Sequence, residues 1–232
     1  MDIILIPGLW LDGSSWSDVV PPLEAAGHRA HPLTLPGMES TDADRSGITL
    51  QDHVDAVVRE IDACDPAEKV VLVGHSLGGG VAWAAVDARP DRVARAILVG
   101  GFPAGDGDTG PNIPGANGEV PMPDFSDFDE ADMRDMDDAA RAAFRARSIP
   151  APERALRDPQ RLSDERRYDV PVTAIATEYT TKMLHEWIDG GETSVQEFKK
   201  IHDVEYVDLP TGHWPQFTRP DDLARTILAA IA

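Results

Sequence analysis

The stretch EKVVLVGHSLGGGVAWAAVD, Glu68 to Asp87, decides the fold. An apolar run, VVLV, ends on a histidine and a serine, and glycines crowd around that serine. Helical periodicity begins directly afterwards. A buried strand that passes into a helix through so tight a turn forces the residue at the bend into a strained conformation, and its side chain then stands clear at the carboxyl end of the strand. The bend closes only if the residues two before and two after are small, and Gly74 and Gly78 hold those places. Gly79 and Gly80 are expected to let the next helix lie close to the sheet. The first amides of that helix, at the positive end of its dipole, face any negative charge that forms near Ser76. A phosphate cradle is the rival use of such a turn. At this turn neither a G-x-G-x-x-G pattern nor a Gly-Lys-Ser/Thr ending is present.

Outward from this point the chain alternates. Ile3 to Ile6 reads as a short buried strand that opens into a loop at Pro7-Gly8. Ser14 to Ala26 has helical spacing at Trp16, Val19, Val20 and Leu23, with Pro21-Pro22 near a kink or a helix start. His28 to Leu33 is a strand. Thr49 to Ala63 is a helix with Leu50, Val54, Val57, Val58 and Ile61 on one face. Lys69 to Val73 is a strand, Leu77 to Arg89 a helix, and Val93 to Val99 a strand. Such β-α-β-α order implies an α/β fold with a doubly wound, mostly parallel sheet and helices on both faces.

After Val99 the alternation breaks. Gly101 to Pro123 is rich in Gly, Pro and Asp, and Asp124 to Arg147 turns helical. A structureless loop of that length is improbable in a compact domain, so residues 101–169 read as a small helical cap inserted into a core of 1–100 and 170–232. The competing reading is a disordered acidic linker. Met133, Met136, Ala140 and Phe144, at helical spacing, argue for packing. Strand and helix resume at VPVTAIATE (Val170 to Glu178), and VEYVDLP supplies the last strand. Thr218 and Asp221 are spaced as a capping box for the terminal helix.

With 41 acidic and 21 basic side chains the formal charge is −20, a field that repels nucleic-acid phosphates and anionic lipid. Neither partner is expected. One cysteine, Cys64, excludes an intrachain disulfide, and its place near a helix end suits a small core or boundary residue. No apolar run approaches the length of a membrane span, and no basic-then-apolar leader precedes the first strand, so a cytoplasmic location is expected.

A serine hydroxyl needs a base. Of the seven histidines, His75 adjoins the serine, but the tight turn aims its side chain elsewhere. His28 and His31 project to opposite faces of a strand. His53, His185 and His202 read as surface or boundary residues. His213 follows the last strand directly and so lies on the same carboxyl edge as Ser76.

LIPG, GHSLGG and LPTGHWPQFTRPDDLA, in this order and spacing, resemble the α/β-hydrolase superfamily. LIPGLWLDGSSWSDVVPPLEAAGHRAHPLTLPG further resembles its small branch of methyl-salicylate-type plant esterases, hydroxynitrile lyases and bacterial hydrolases. The resemblance implies a serine hydrolase with Ser76 as nucleophile and His213 as base. It places the oxyanion donors at the backbone N–H groups of Leu9, or Trp10, and Leu77. Pro7 departs from the pattern, standing where the family often has histidine. So does Tyr179, which replaces the aspartate that relatives carry after this strand. Glu178 is then the candidate third member, and Asp106, one strand earlier, the alternative. Trp10, Phe102 and Trp214, with Phe125, Phe128 and Phe217, are candidates for an apolar pocket, or for plain core packing. The expected substrate is a small apolar ester or lactone, split through an acyl-enzyme with no metal or organic cofactor. Two alternatives remain: a ligand-binding protein that keeps the fold with weak or no catalysis, and a hydroxynitrile lyase. Against the lyase, the lysine of that branch is replaced by Thr180, with Lys182 two residues on.

Overall fold

The central strands are largely apolar because both of their faces are covered. The computed structural model describes residues 1–232. In chain order the strands are β1 (Asp2–Ile6), β2 (Arg29–Pro32), β3 (Val70–His75), β4 (Val93–Val99), β5 (Glu119–Val120), β6 (Ala151–Pro152), β7 (Val172–Ala176) and β8 (Val204–Asp208). The helices are α1 (Val20–Ala25), α2 (Leu50–Ala63), α3 (Leu77–Ala88), α4 (Asp138–Arg147), α5 (Glu153–Arg157), α6 (Thr181–Gly190), α7 (Pro215–Thr218) and α8 (Pro220–Ala230). Six strands pair in the order β2-β1-β3-β4-β7-β8, every pair parallel.

Alternate residues of each strand feed two cores. Ile3, Leu5, Val71, Val73, Ile97 and Val99 pack with Trp16, Leu23 of α1 and Leu223 and Ile227 of α8. Ile4, Ile6, Leu72 and Leu98 face the other way, onto Val54, Val57 and Ile61 of α2 and Val81 and Trp83 of α3. Local signals agree with this packing. Thr49 and Asp52 form a reciprocal capping box at the start of α2, and prolines open α1.

The strand order places the site. The chain runs from β1 to β2 on one side, then returns across β1 to form β3 on the other. Loops leaving β1 and β3 therefore diverge at the carboxyl edge and leave a crevice between them, the usual place for a ligand in an open α/β sheet.

The structure revises four local expectations. Asp124 to Arg147 is helical only from Asp138. Upstream, Asp124 with Asp127, and Asp132 receiving the amide of Asp129, cap short turns instead, while Asp137 receives the amide of Ala140 as the N-cap of α4. Side chains that bond neighbouring amides compete with a continuous helix. Between Gly101 and Asp169, where no strand was expected, β5 and β6 pair antiparallel, Val120 opposite Ala151. The capping box at Thr218 does not form. That hydroxyl bonds the carbonyl of Trp214 at 3.3 Å, and α8 starts at Pro220 with Asp221 and Asp222 in its first turn. Strand β3 also runs to His75, two residues past the expected end.

Met122, Met133, Met136 and Phe144 are buried in one cluster with Trp10, Leu11 and Trp214. Phe144 sits edge-on to Trp214 with centroids 4.9 Å apart. The amide of Ile149 donates to the carbonyl of Trp10 at 2.9 Å, and that of His213 to Asp132 at 2.8 Å. These contacts pin the stretch from Met122 to Ile149 across the loops that follow β1 and β8. No helix is long and apolar enough to cross a membrane.

Candidate active site

Ser76 bridges β3 and α3 with φ 52° and ψ −125°, a conformation unfavourable for a residue with a Cβ. The surrounding glycines explain how the bend is tolerated. A Cβ on Gly74 would stand 2.4 Å from the carbonyl oxygen of Gly78, and one on Gly78 would stand 2.5 Å from that of Pro7. Gly79 and Gly80 do not have the role expected of them. Their added Cβ atoms would meet only ordinary contacts at Phe102 and Ala104, in the loop after β4 rather than the sheet.

Three side chains from three strand ends meet at this bend. His213, five residues beyond β8, places Nε2 2.8 Å from Ser76 Oγ. Its Nδ1 lies 2.9 Å from Oε1 of Glu178, two residues beyond β7. The Thr177 hydroxyl donates to the other carboxylate oxygen of Glu178. Asp106, the alternative acid, is elsewhere: its carboxylate accepts the amide of Leu162 at 2.9 Å. Tyr179 is buried against Phe102 and Trp187, so its ring fills core space beside the acid.

Burial alone would push the His213 imidazole down. The hydrogen bond and charge of Glu178, with the charge of Asp132, reverse this and leave its pKa raised. Glu178 shows the mirror balance. Burial pushes it up, and the hydrogen bond and charge of His213 bring it below the usual carboxylate value. The pair is thus held with the acid ionised and Nδ1 protonated, which leaves Nε2 free to accept from Ser76. His75 is buried, and burial pushes its pKa down to about 3. Neutral, it braces the loop, with Nε2 2.7 Å from the carbonyl of His213.

The two backbone amides expected to face an oxyanion flank the serine. Leu77 is the first residue of α3, where an amide has no intrahelical acceptor. The Leu9 amide makes no hydrogen bond within the chain. Next to it Trp10 has φ 63°, held by its indole N–H on the carbonyl of Val120 at 3.1 Å. Two cavities open on Ser76. One, of about 190 Å³, is walled by Leu9, Trp10, Ile113, Phe128, Asp132 and Trp214. The other, of about 690 Å³, includes Leu77, Phe102, Asp108, Pro111 and Glu192. Phe125 and Phe217 line neither cavity. They pack on Phe144, with Arg145 and Arg147 over their outer faces.

The sequence model of the alpha/beta hydrolase family matches residues 3–226. The chain belongs to this family. Among curated proteins it is similar to salicylic acid-binding protein 2 of Nicotiana tabacum, 34% identical over 101 residues, which cover 43% of this chain and 38% of that protein. It is also similar to a pyrethroid hydrolase of Sphingobium wenxiniae, 37% identical over 99 residues, which cover 42% of this chain and 35% of that one. The matched stretch is thus little more than a third of either relative. Among solved structures, an extracellular alpha/beta-hydrolase from a Paenibacillus species superposes with a TM-score of 0.79 at 20% identity, over 99% of this chain and 98% of that one. At that identity the likeness is one of fold.

Two features of this alpha/beta hydrolase escaped the sequence reading. Asp132 lines the smaller cavity, and its carboxylate, that of Glu178 and a ring nitrogen of His213 all lie within 4.8 Å of one another. Such a trio has the donors of a metal site, but both nitrogens of His213 are already engaged by Ser76 and Glu178. A second trio, Asp2, His31 and Cys64, lies at the start of β1, with Asp2 held bidentately by Arg29. The other feature is His53, which is buried on α2 with Nε2 2.9 Å from the carbonyl of Pro36. Lys182 points away from both cavities, paired with Glu186 at 3.8 Å.

Proposed function

We propose that the chain is a serine hydrolase of small, largely apolar carboxylic esters, working through a Ser76–His213–Glu178 triad. The observation that carries this reading is the unbroken chain of hydrogen bonds, 2.8 Å and 2.9 Å long, from Ser76 Oγ through His213 to Glu178. Ser76 Oγ attacks the ester carbonyl and His213 Nε2 takes its proton. The amides of Leu9 and Leu77 hold the oxyanion. His213 then protonates the departing alkoxide, leaving an acyl group on Ser76. Water, deprotonated by the same nitrogen, attacks that acyl carbonyl and releases the acid. Every proton passes through His213, so the cycle needs no further group. Residues 101–169 act as the cap that walls the substrate site.

The likeness to the pyrethroid hydrolase supports ester cleavage. The apolar walls Leu9, Trp10, Ile113, Phe128 and Trp214 suit a small hydrophobic acyl or alcohol group. The scaffold alternative predicts no turnover. A fluorophosphonate should label Ser76 alone, and Ser76→Ala should lower ester turnover by about three orders of magnitude or more. Labelling elsewhere, or full turnover in the variant, overturns the reading.

A further inference from the structure

Asp132 makes no hydrogen bond within the triad just described, yet it faces the same cavity as Ser76 and His213. The docked loop that carries it accepts the His213 amide on the Asp132 carbonyl at 2.8 Å, so the backbones of the two residues are tied together. One carboxylate oxygen accepts the amide of Asp129 at 3.2 Å, and the other has no partner within the chain. Glu178 is the other acid of this cavity, and its charge is already matched to His213. No lysine or arginine lines either cavity, while Asp108 and Glu192 border the larger one. The free oxygen of Asp132 is therefore an unanswered acceptor in a cavity that Phe128 also lines and that holds no basic side chain other than its histidines.

We infer that Asp132 sets substrate choice by charge. The site favours esters whose non-reacting end bears an amino or quaternary ammonium group, and it disfavours those ending in a carboxylate. This preference rests on the serine-hydrolase chemistry proposed above. A cation here meets the half-buried Asp132 carboxylate at short range, with the aromatic ring of Phe128 lining the same cavity. A carboxylate meets Asp132 and Glu178 with no cation to offset them. Partly buried charges of this kind differ by an order of magnitude or more in binding.

The test uses three acetate esters of matched length whose alcohols end in trimethylammonium, tert-butyl or carboxylate. The uncharged tert-butyl ester is the reference, so each kcat/KM is read as a ratio within one enzyme. Wild type should prefer the ammonium ester to the reference about tenfold or more, and should disfavour the carboxylate ester by as much. In Asp132→Asn both ratios should fall to within about threefold of unity. A second measurement needs no variant: raising salt from about 0.01 M to 0.5 M should compress the wild-type ratios, because screening weakens the cleft's field. Wild-type ratios near unity, ratios that survive Asp132→Asn, or ratios indifferent to salt overturn the inference while leaving the hydrolase standing. If the tert-butyl ester is not hydrolysed, or is hydrolysed equally by Ser76→Ala, the serine-hydrolase reading fails and the charge preference falls with it.

Discussion

Replacing Glu178 with Gln keeps the size of the side chain but changes what it offers Nδ1 of His213, 2.9 Å away. The carboxylate can only accept, which keeps the proton on Nδ1 and leaves Nε2 as the acceptor for Ser76. The amide can donate to Nδ1 instead, which moves the ring proton to Nε2 and removes the base from the serine. Asp132 does not restore the tautomer, because its carboxylate makes no hydrogen bond to the ring. Its charge still offsets part of the imidazolium that forms. The expected loss is therefore about 10³-fold in kcat, roughly 4 kcal/mol of barrier, somewhat short of the ~10⁴-fold seen in strict triads. KM should change little, since the acid lies behind the histidine. The pH profile gives an independent check. His213 must be neutral to act, so activity rises as pH climbs through its pKa. Burial lowers that pKa and Glu178 more than compensates. With the carboxylate gone, burial dominates and the acid limb of kcat/KM moves to lower pH even as the plateau falls. Steady-state kinetics on an uncharged ester across pH, with circular dichroism as the folding control, measure both. A near wild-type plateau, or an acid limb that stays in place, refutes the role given to Glu178.

Asp106→Asn should leave kcat within about threefold of wild type, because Asp106 is engaged with the Leu162 amide and not with His213; a loss comparable to that of Glu178→Gln would reassign the acid. Gly78→Ala forces a Cβ to within 2.5 Å of the Pro7 carbonyl oxygen, and should cost about 2–4 kcal/mol in urea unfolding; an unchanged midpoint would contradict the tight-bend argument. Asp2 is buried, and the Arg29 guanidinium holds its carboxyl at about 2, below the usual 3.8. A depressed folded value contributes stability that is complete above the unfolded pKa and is lost as pH falls through 2. Asp2→Asn should thus cost roughly 1–2 kcal/mol at pH 7, and its difference from wild type should shrink steadily below pH 4; a gap that persists unchanged to pH 2 would refute the linkage.

What the sequence made legible was set by how local each determinant is. The bend at Ser76 is written in five consecutive residues, Gly74 to Gly78, and the structure forms it there. The mostly parallel sheet followed from the alternation of strands with helices, and its inner strands from their apolar runs, since strands covered on both faces read that way. His213 could be proposed because it follows the last strand by a few residues, and Glu178 because the resembling family carries an acid after the strand before it. Asp132 could not be found this way. Its position depends on the loop before α4 docking on Gly212, where a Cβ would stand 2.4 Å from the Arg134 carbonyl oxygen. No periodicity encodes such a contact. The aspartate-rich run from Asp124 misled for a related reason: aspartate serves both the first turn of a helix and the capping of isolated turns, and tertiary packing chose the latter.

Trapping the acyl group tests the central claim most directly. An ester with a fast-departing phenolate is mixed with enzyme, quenched in acid within the first turnover, and the digested chain is weighed. The account predicts one equivalent of acyl mass on the peptide that carries Ser76, an initial burst of phenolate matching it, and neither in Ser76→Ala. Hydrolysis at the wild-type rate with no acyl adduct, or an adduct on any other residue, would contradict it.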